Sequence, residues 1–357
     1  MRGTSCLNRK TKKLSGFGIK NIALSKSKSS RRVGLDIGSQ TVKVIELSGP
    51  SEKSALSGFG VKNISNLSAR DAGDSIREMM SKAEISEKSV TISLSGPSVI
   101  VRFISLPKMD EQSLKGAIKF EAGKFIPFDI NDCVIDHKII GKDDRENKLN
   151  VLLVAVKRDV LLGKIKMVED AGLTVRIVDV DVFAMANAFM KCVSVPSEKT
   201  VALINIGASL TNLSILRGQS IYFARDLGIG GKNFNAAISK ILGLDEKDAE
   251  ELKVRPGNRI DEVAGLTKPV LNSLLDEVKL SFSYYENQSG KNIDEVYVSG
   301  GGSGIVGLSD VFQENLGSKP SVWNPMQSID TASLASDKEL LGKTGSSFAI
   351  AMGLALR

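Results

Sequence analysis

An acid, a glycine turn and a lysine lie together in the stretch Val33–Leu47 (VGLDIGSQTVKVIEL), where two apolar runs of strand character flank the turn. Asp36 ends the first run, Gly38 and Ser39 would bring backbone N–H groups close to an anion, and Lys43 would add a positive charge. The pattern predicts a hairpin that grips phosphate. An ordinary β-hairpin with a polar turn fits a single motif of this kind equally well.

A second copy of the hairpin follows at Ala202–Leu216 (ALINIGASLTNLSIL). At an offset of 169 residues Asn205 falls on Asp36, and the glycines of the two turns coincide. Two like hairpins predict two like lobes. A polyphosphate ligand would lie between them, and the lobes would close on it.

The basic charge of the chain is concentrated at its start. Residues 1–32 contain ten of the 48 Lys and Arg residues and none of the 41 acids, which leaves 38 basic against 41 acidic residues elsewhere. Because this segment is also rich in Ser and Gly, we expect a disordered basic tail. It would be attracted to anionic lipid by about 1 kcal/mol per basic residue; a solubilising leader fits the same composition. Nucleic acid is disfavoured, since Phe17 is the one aromatic residue among these charges.

Several common chemistries find little support in the sequence. The GxGxxG pattern at Gly302–Gly307 lacks the acid that a dinucleotide site has about 20 residues later. The GKT at 342–344 has Asp337 where a P-loop needs glycine. The single histidine, His137, has no GxSxG elbow beside it, which disfavours a catalytic triad. One histidine is also too few for a histidine-rich zinc site.

The cysteines and the apolar runs indicate a cytoplasmic protein. Cys6, Cys133 and Cys192 form neither a disulfide framework nor a CxxC pair. No apolar run approaches the roughly 20 residues of a membrane-spanning helix.

The order of predicted elements suggests three units behind the tail, consistent with a length of 357 residues. We expect a first lobe core at 33–97, completed by 174–199 and 346–357. A strand–helix–strand–strand unit at 98–173 is inserted in it, and the second lobe covers 200–345.

Five motifs together resemble the nucleotide site of the actin-like ATPase superfamily: DIGSQTVK, INIGASLTNL, GIGGKNFN, AEELK and VSGGGSGIVGL. Within it, Arg102–Phe128 and Ala349–Arg357 are similar to the PilM family of type IV pilus assembly proteins. The resemblance covers nearly everything after residue 32. It implies an α/β, two-lobed actin-like ATPase (ribonuclease H-like) fold with an inserted SHS2 subdomain, as in the division protein FtsA.

The resemblance also implies ATP and Mg²⁺ as ligands. Asp36 would hold the water shell of Mg²⁺, and Asn205 stands where the family has a second aspartate. The implied nucleotide contacts are the first turn with its lysine (Asp36, Gly38, Ser39, Gln40, Thr41, Lys43), the second turn (Gly207, Ala208, Thr211), the glycine corner (Gly230, Gly231), two residues toward ribose and adenine (Glu250, Lys253) and the glycines under the base (Gly300, Gly301, Gly302).

For partners, the resemblance implies the N-terminal tail of a PilN-like bitopic membrane protein, bound in a cleft beside the inserted unit at the cytoplasmic face of the inner membrane. The family also links to the pilus motor ATPases, and self-association is conceivable on this fold. An insertion without a partner stays open, as does the role of Ile126–Phe128, a docking edge or a turn packed on its own helix. The alternative functions are an FtsA-like membrane-tethered filament former and a small-molecule kinase.

Asn205 is the departure from the family pattern that bears on chemistry. An amide is nearly isosteric with a carboxylate and accepts a hydrogen bond, so we expect the hairpin to fold and the nucleotide to bind. Without that charge, hydrolysis should be slow, below about 0.1 s⁻¹ against the 1–100 s⁻¹ typical of kinases.

Overall fold

The computed structural model describes residues 31–50, 53–143, 147–331 and 338–357. The predicted tail lies outside the described residues except for Arg31 and Arg32. In chain order the described strands and helices are β1 (Arg32–Ile37), β2 (Thr41–Ser48), β3 (Ala55–Asn63), α1 (Ala69–Lys82), β4 (Ser89–Leu94), β5 (Val99–Pro107), α2 (Glu111–Phe125), β6 (Cys133–Asp143), β7 (Lys148–Lys157), α3 (Arg158–Asp170), β8 (Thr174–Val180), α4 (Asp181–Cys192), β9 (Thr200–Ile206), β10 (Thr211–Arg217), β11 (Ser220–Leu227), α5 (Gly231–Leu242), α6 (Glu246–Val254), α7 (Ile260–Ser289), β12 (Glu295–Ser299), α8 (Leu308–Leu316), β13 (Ser321–Val322), α9 (Lys338–Thr344) and α10 (Ala349–Ala355).

The first sheet has the strand order β3-β2-β1-β4-β8. β1, β2 and β3 form an antiparallel meander, and β4 and β8 run parallel to β1. The strands next to β1 are buried on both faces, which explains their nearly continuous apolar sequences. Because β1, β4 and β8 are parallel, their carboxyl ends meet at one edge of the sheet.

The second sheet repeats this arrangement in the order β11-β10-β9-β12-β13. β9, β10 and β11 are again an antiparallel meander, and β12 and β13 are parallel to β9. The two hairpins therefore begin two sheets of the same topology. This confirms the two like lobes predicted from the repeated motif, and the topology agrees with the actin-like fold that the resemblance implies.

A third sheet, β5-β7-β6, is antiparallel and carries α2 on one face. We call β5, α2, β6 and β7 the inserted unit. Asp110 begins α2 because its carboxylate accepts from the N–H groups of Gln112 and Ser113. The order strand–helix–strand–strand is as predicted, while the boundaries of the predicted units remain predictions.

A shared apolar core joins the two large sheets through α4 and α10. Every residue of α10 is buried, which agrees with its apolar character on all faces. The side chain of Arg357, directly after α10, lies 2.5 Å from the fully buried Asp179 carboxylate at the end of β8. The end of the described chain is thus fastened to the first sheet.

The GxGxxG string at Gly302–Gly307 does not lead directly into a helix. A short 3-10 helix covers Gly301–Gly304, Ile305 is extended, and Gly307 has φ +81°. α8 begins only at Leu308 because these two conformations cannot continue a helix.

Candidate functional site

A cleft of about 500 Å³ lies between the two large sheets, at the edges where the carboxyl ends of their parallel strands meet. This is the place where ligands bind in open α/β sheets, and the volume suits a nucleotide. We call it the interlobe cleft. The sequence-predicted residues that line it are Asp36, Gly38, Ser39, Gln40, Thr41, Lys43, Asn205, Gly207, Ala208, Gly300 and Gly301.

In the first hairpin an acid and a lysine face each other across the strands. Asp36 pairs with Lys43 in the ladder, and the Lys43 Nζ lies 3.3 Å from Asp36 Oδ2. Both side chains are largely buried, and the Gly38 N–H donates to the Thr41 carbonyl to close the turn. A cation and a carboxylate therefore stand at the mouth of the cleft, next to a tight turn.

The second hairpin has the same geometry without the charges. The Gly207 N–H donates to the Leu210 carbonyl, 2.9 Å away, as Gly38 does to Thr41. Asn205 pairs with Asn212 in the ladder, and its Nδ2 donates to Asn212 Oδ1 over 3.0 Å. An amide pair thus replaces the Asp36–Lys43 ion pair.

The turns also offer free donors to an anion. Within the described ranges of the chain, the backbone N–H groups of Ser39, Gln40, Ala208 and Ser209 have no acceptor. Four amides on two facing turns fit a chain of phosphates.

The two turns touch each other across the cleft. The hydroxyls of Ser39 and Ser209 are 2.7 Å apart, and the Gln40 amide donates to Glu246 at 3.5 Å. The lobes are therefore closed at the level of the turns.

An aspartate of the second lobe extends the amide pair away from the cleft. Asn212 Nδ2 donates to Asp226 Oδ1 over 2.8 Å, and the Gly96 N–H, from the first lobe, donates to Asp226 Oδ2 over 2.6 Å. At the other end the Ser299 hydroxyl donates to Asn205 Oδ1 over 3.3 Å. We call Asn205, Asn212 and Asp226 the amide relay. Burial raises the pKa of Asp226, against the lowering effect of its two donors.

Asp181 and Lys164 line the cleft although the sequence did not single them out. Asp181 begins α4, and its pKa is raised by burial and by the nearby Asp36 carboxylate, while Lys164 acts in the opposite direction. The Lys164 Nζ donates to the Ile37 carbonyl over 2.8 Å, just before the first turn. Perturbed carboxylates in a cleft are typical of functional sites.

Gly300 brings the chain close beneath the second hairpin. Its φ is +88°, and a Cβ there would lie 2.4 Å from the Ile206 carbonyl oxygen. Only glycine fits, as expected for a backbone that passes close to a ligand.

The other residues predicted to contact the nucleotide do not line the cleft. They lie in a second row, behind the residues that do. The Thr211 hydroxyl donates to the Ile229 carbonyl, and the Gly231 N–H donates to the Gly207 carbonyl. Gly230 and Gly302 pack against the backbone of the second turn and against Ile206, respectively.

Glu250 and Lys253 form a cluster with Asn235 in the same second row. The Lys253 Nζ lies 2.7 Å from both Glu250 Oε2 and Asn235 Oδ1, and 3.3 Å from the Gly231 carbonyl. These residues support the corner below the second turn.

The signals for the missed residues differ in strength. The offset that sets Asn205 on Asp36 also sets Asn212 on Lys43, so Asn212 was within reach of the sequence. Asp181 is an acid directly after a buried strand, a weaker signal. Lys164 lies inside an amphipathic helix, and no signal in the sequence marks it as a site residue.

Among the described residues no group of three or more His, Cys, Asp or Glu side chains is placed to bind a metal by itself. Over the same parts of the chain, no helix has the length and apolarity needed to cross a bilayer.

The two like sheets have the actin-like fold, and known proteins with this fold are similar to the chain. The structure of MreB5 of Spiroplasma citri bound to ADP matches with a TM-score of 0.50 at 12% identity, over 92% of this chain and 95% of the other. Cell division protein FtsA of Streptococcus pneumoniae is 27% identical over 263 residues, 65% of this chain. The aligned part spans only 57% of that FtsA.

A narrower match identifies the family. The family described as type IV pilus assembly protein PilM matches residues 34–357. The solved PilM-PilN type IV pilus biogenesis complex matches with a TM-score of 0.83 at 28% identity, over 91% of this chain and 98% of the other. The chain belongs to the PilM family of type IV pilus assembly proteins.

Proposed function

We propose that the chain is an ATP-binding cytoplasmic scaffold of the type IV pilus assembly complex and binds the N-terminal tail of a PilN-like membrane protein. The observation that carries this is the match to the PilM-PilN complex over nearly the whole of both chains. Such a partner would place the protein at the cytoplasmic face of the inner membrane. Contact with the motor ATPases and self-association belong to the same proposal.

The chemistry of the interlobe cleft supports ATP as the ligand. The free amides of the two turns would bind the phosphates, and Lys43 and Lys164 would offset their negative charge. Gly300 to Gly302 would let the backbone pass under the base. Glu250 and Lys253 would act from the second row.

Mg²⁺ fits the residues present through one carboxylate. Asp36 is a hard oxygen ligand at the cleft mouth, and Mg²⁺ keeps several waters in such sites. When bound, the ion would neutralise phosphate charge. Asn205 offers an amide oxygen at most, and that oxygen already accepts from Ser299.

The site supports retention of ATP better than rapid turnover. The amide pair of the second hairpin carries no charge where a carboxylate would help to fix the ion and its water. Asp181 is the remaining candidate to accept a proton from water in the cleft, since its raised pKa makes it a better base than an ordinary aspartate. We expect turnover below about 0.1 s⁻¹.

The inserted unit would carry the partner site. Ile126 is buried and Phe128 packs, partly buried, against the core beneath α2. The turn therefore packs on its own helix. The exposed apolar side chains of α2 are Phe120 and Phe125, of which Phe120 is 71% accessible.

The test uses a fluorescent peptide with the cytoplasmic tail sequence of a PilN-like protein encoded in the same genome. Anisotropy titration should show saturable binding, and a scrambled peptide of the same composition should not bind. Equal behaviour of the two peptides would contradict the proposal.

The relation to FtsA favours one second candidate, a filament former on membranes. Sedimentation with ATP and Mg²⁺, with and without anionic vesicles, distinguishes it. Pelleting that depends on ATP and rises above a critical protein concentration would support filaments over a scaffold.

A further inference from the structure

Gly96 occupies the junction between the first lobe and the inserted unit. It follows β4 and precedes β5, and its φ of +88° turns the chain from one sheet into the other. The preceding residue, Ser95, lines the interlobe cleft. The inserted unit thus begins, at Val99, four residues after a residue of the cleft wall.

Two contacts fasten Gly96 to the second lobe. Its N–H donates to Asp226 Oδ2 over 2.6 Å. On its other side, a Cβ at Gly96 would lie 3.2 Å from the Leu210 side chain, which belongs to the second turn. The contacts involve different residues and bond types, so the second lobe meets this junction at two points, Asp226 of β11 and Leu210 of the second turn.

Asp226 is also connected to the interlobe cleft, through Asn212. Asn205 and Asn212 line the cleft, and the Asn212 amide donates one of its hydrogens to Asp226. A phosphate anion beside Asn212 would compete with Asp226 for that donor and would repel its buried carboxylate. Binding in the cleft therefore changes the forces on Asp226.

We propose that Asp226 is a positioning residue that couples the second phosphate hairpin to the inserted unit, through Asn212 on the cleft side and the Gly96 N–H on the other. Occupancy of the cleft then shifts the position of β5, and a partner on the inserted unit shifts nucleotide affinity by the same factor. The nucleotide as ligand rests on the proposed function; the link between hairpin and inserted unit does not.

Three substitutions probe the link from different sides. Asp226→Ala removes both acceptors. Asn212→Ala removes the cleft end and leaves the Gly96 contact in place. Asp226→Asn can keep every bond, because the amides of Asn205 and Asn212 can turn so that the introduced amide donates to Asn212 while its oxygen still accepts from Gly96. Asp310→Asn is the matched control, an exposed carboxylate of the same lobe on α8.

Hydrogen exchange of the ligand-free proteins gives the readout, since local opening of β5 governs the exchange of its amides. We expect exchange in β5 to be about fivefold or more faster in Asp226→Ala and Asn212→Ala, and within twofold of wild type in Asp226→Asn and Asp310→Asn. A merely local role would change exchange in β10 and β11 alone. Unchanged exchange in β5 for either alanine variant overturns the proposal. If Asp226→Ala does not fold, Asn212→Ala decides.

Two measurements on the same proteins with ATP and Mg²⁺ separate the two proposals. Calorimetric titration shows whether ATP binds, and hydrogen exchange shows whether binding reaches β5. In wild type, ATP should change exchange in β5 by at least threefold, and in Asp226→Ala by less than 1.5-fold. An equal response in both overturns the coupling. Absence of ATP binding to wild type would refute the proposed function, while the ligand-free exchange would still test the link.

Discussion

Replacement of Asn205 by aspartate tests the amide relay most sharply. The two hydrogen bonds between its members run in one direction, because Asn205 donates to Asn212 over 3.0 Å and Asn212 donates to Asp226 over 2.8 Å. A carboxylate at 205 has no donor for Asn212 Oδ1. If the Asn212 amide turns to donate to the new carboxylate, its oxygen faces Asp226 instead. In either orientation, the Asn212 oxygen faces a carboxylate oxygen, and no donor lies between the two buried acceptors.

The cost of this mismatch is about 2 to 3 kcal/mol at neutral pH. For a chain of this length that corresponds to a fall of about 3 to 4 °C in melting temperature. The fall should shrink as pH is lowered. Burial already raises the pKa of Asp226, a second carboxylate raises it further, and protonated Asp226 can donate to Asn212. The folded state then binds a proton that the unfolded state has lost, so acid stabilises the variant.

The double variant Asn205→Asp with Asp226→Asn restores the missing donor. The amide introduced at 226 donates to Asn212, Asn212 donates to the carboxylate at 205, and Gly96 keeps its acceptor. Thermal unfolding of wild type, both single variants and the double variant forms a complete cycle, with an expected coupling of about 2 kcal/mol. Additive losses, or an unchanged melting temperature for Asn205→Asp alone, would refute the reasoning.

The double variant also places a carboxylate in the interlobe cleft, and the net charge of the protein stays the same. Phosphate release should therefore rise about tenfold or more over a wild-type rate below about 0.1 s⁻¹. Equal turnover in wild type and the double variant would show that Asn205 does not limit hydrolysis.

Three further outcomes are expected. Arg357→Ala should lower unfolding free energy by about 3 kcal/mol, more than Arg357→Lys, because it strands the buried Asp179 carboxylate; equal melting temperatures for wild type and Arg357→Ala would contradict this. Ser209→Ala removes the hydroxyl contact with Ser39, and loss of about 1 kcal/mol should speed ATP association in stopped flow about fivefold; an unchanged rate would exclude opening of the turns as the slow step. Removal of residues 1–30, which keeps the Arg31 side chain, should abolish sedimentation with anionic vesicles at low salt; equal pelleting would exclude the tail as an anchor.

The sequence predicted the parts of the fold that depend on local pattern. The hairpins at Asp36 and Asn205 follow from alternating apolar runs around a glycine turn, and the repeat implied two like sheets. The helix Glu111–Phe125 has both ends marked in the sequence, because Asp110 caps its start and Ile126-Pro127 ends it. The start of α8 could not be predicted, since a GxGxxG string does not show that Gly307 takes a positive φ.

The parts that sequence could not supply are contacts between distant segments. Gly96 and Asp226 are 130 residues apart, and nothing in either neighbourhood indicates the other. The pKa of Asp181 is raised only when β8 carries this residue into a buried position next to Asp36. The second-row position of Lys253 likewise depends on how α6 packs on α5. Pattern therefore located the cleft, and packing decided which polar groups face it.

Calorimetric titration with ATP and Mg²⁺ tests the central claim most directly. Wild type should bind one ATP, and Asp36→Ala and Lys43→Ala should abolish binding while retaining the wild-type circular dichroism spectrum, since the pair stands at the cleft mouth. Lys319→Ala, an exposed lysine of the second lobe, is the matched control and should bind like wild type. No binding by wild type, or unchanged affinity in Asp36→Ala and Lys43→Ala, would contradict the assignment of the interlobe cleft as the nucleotide site.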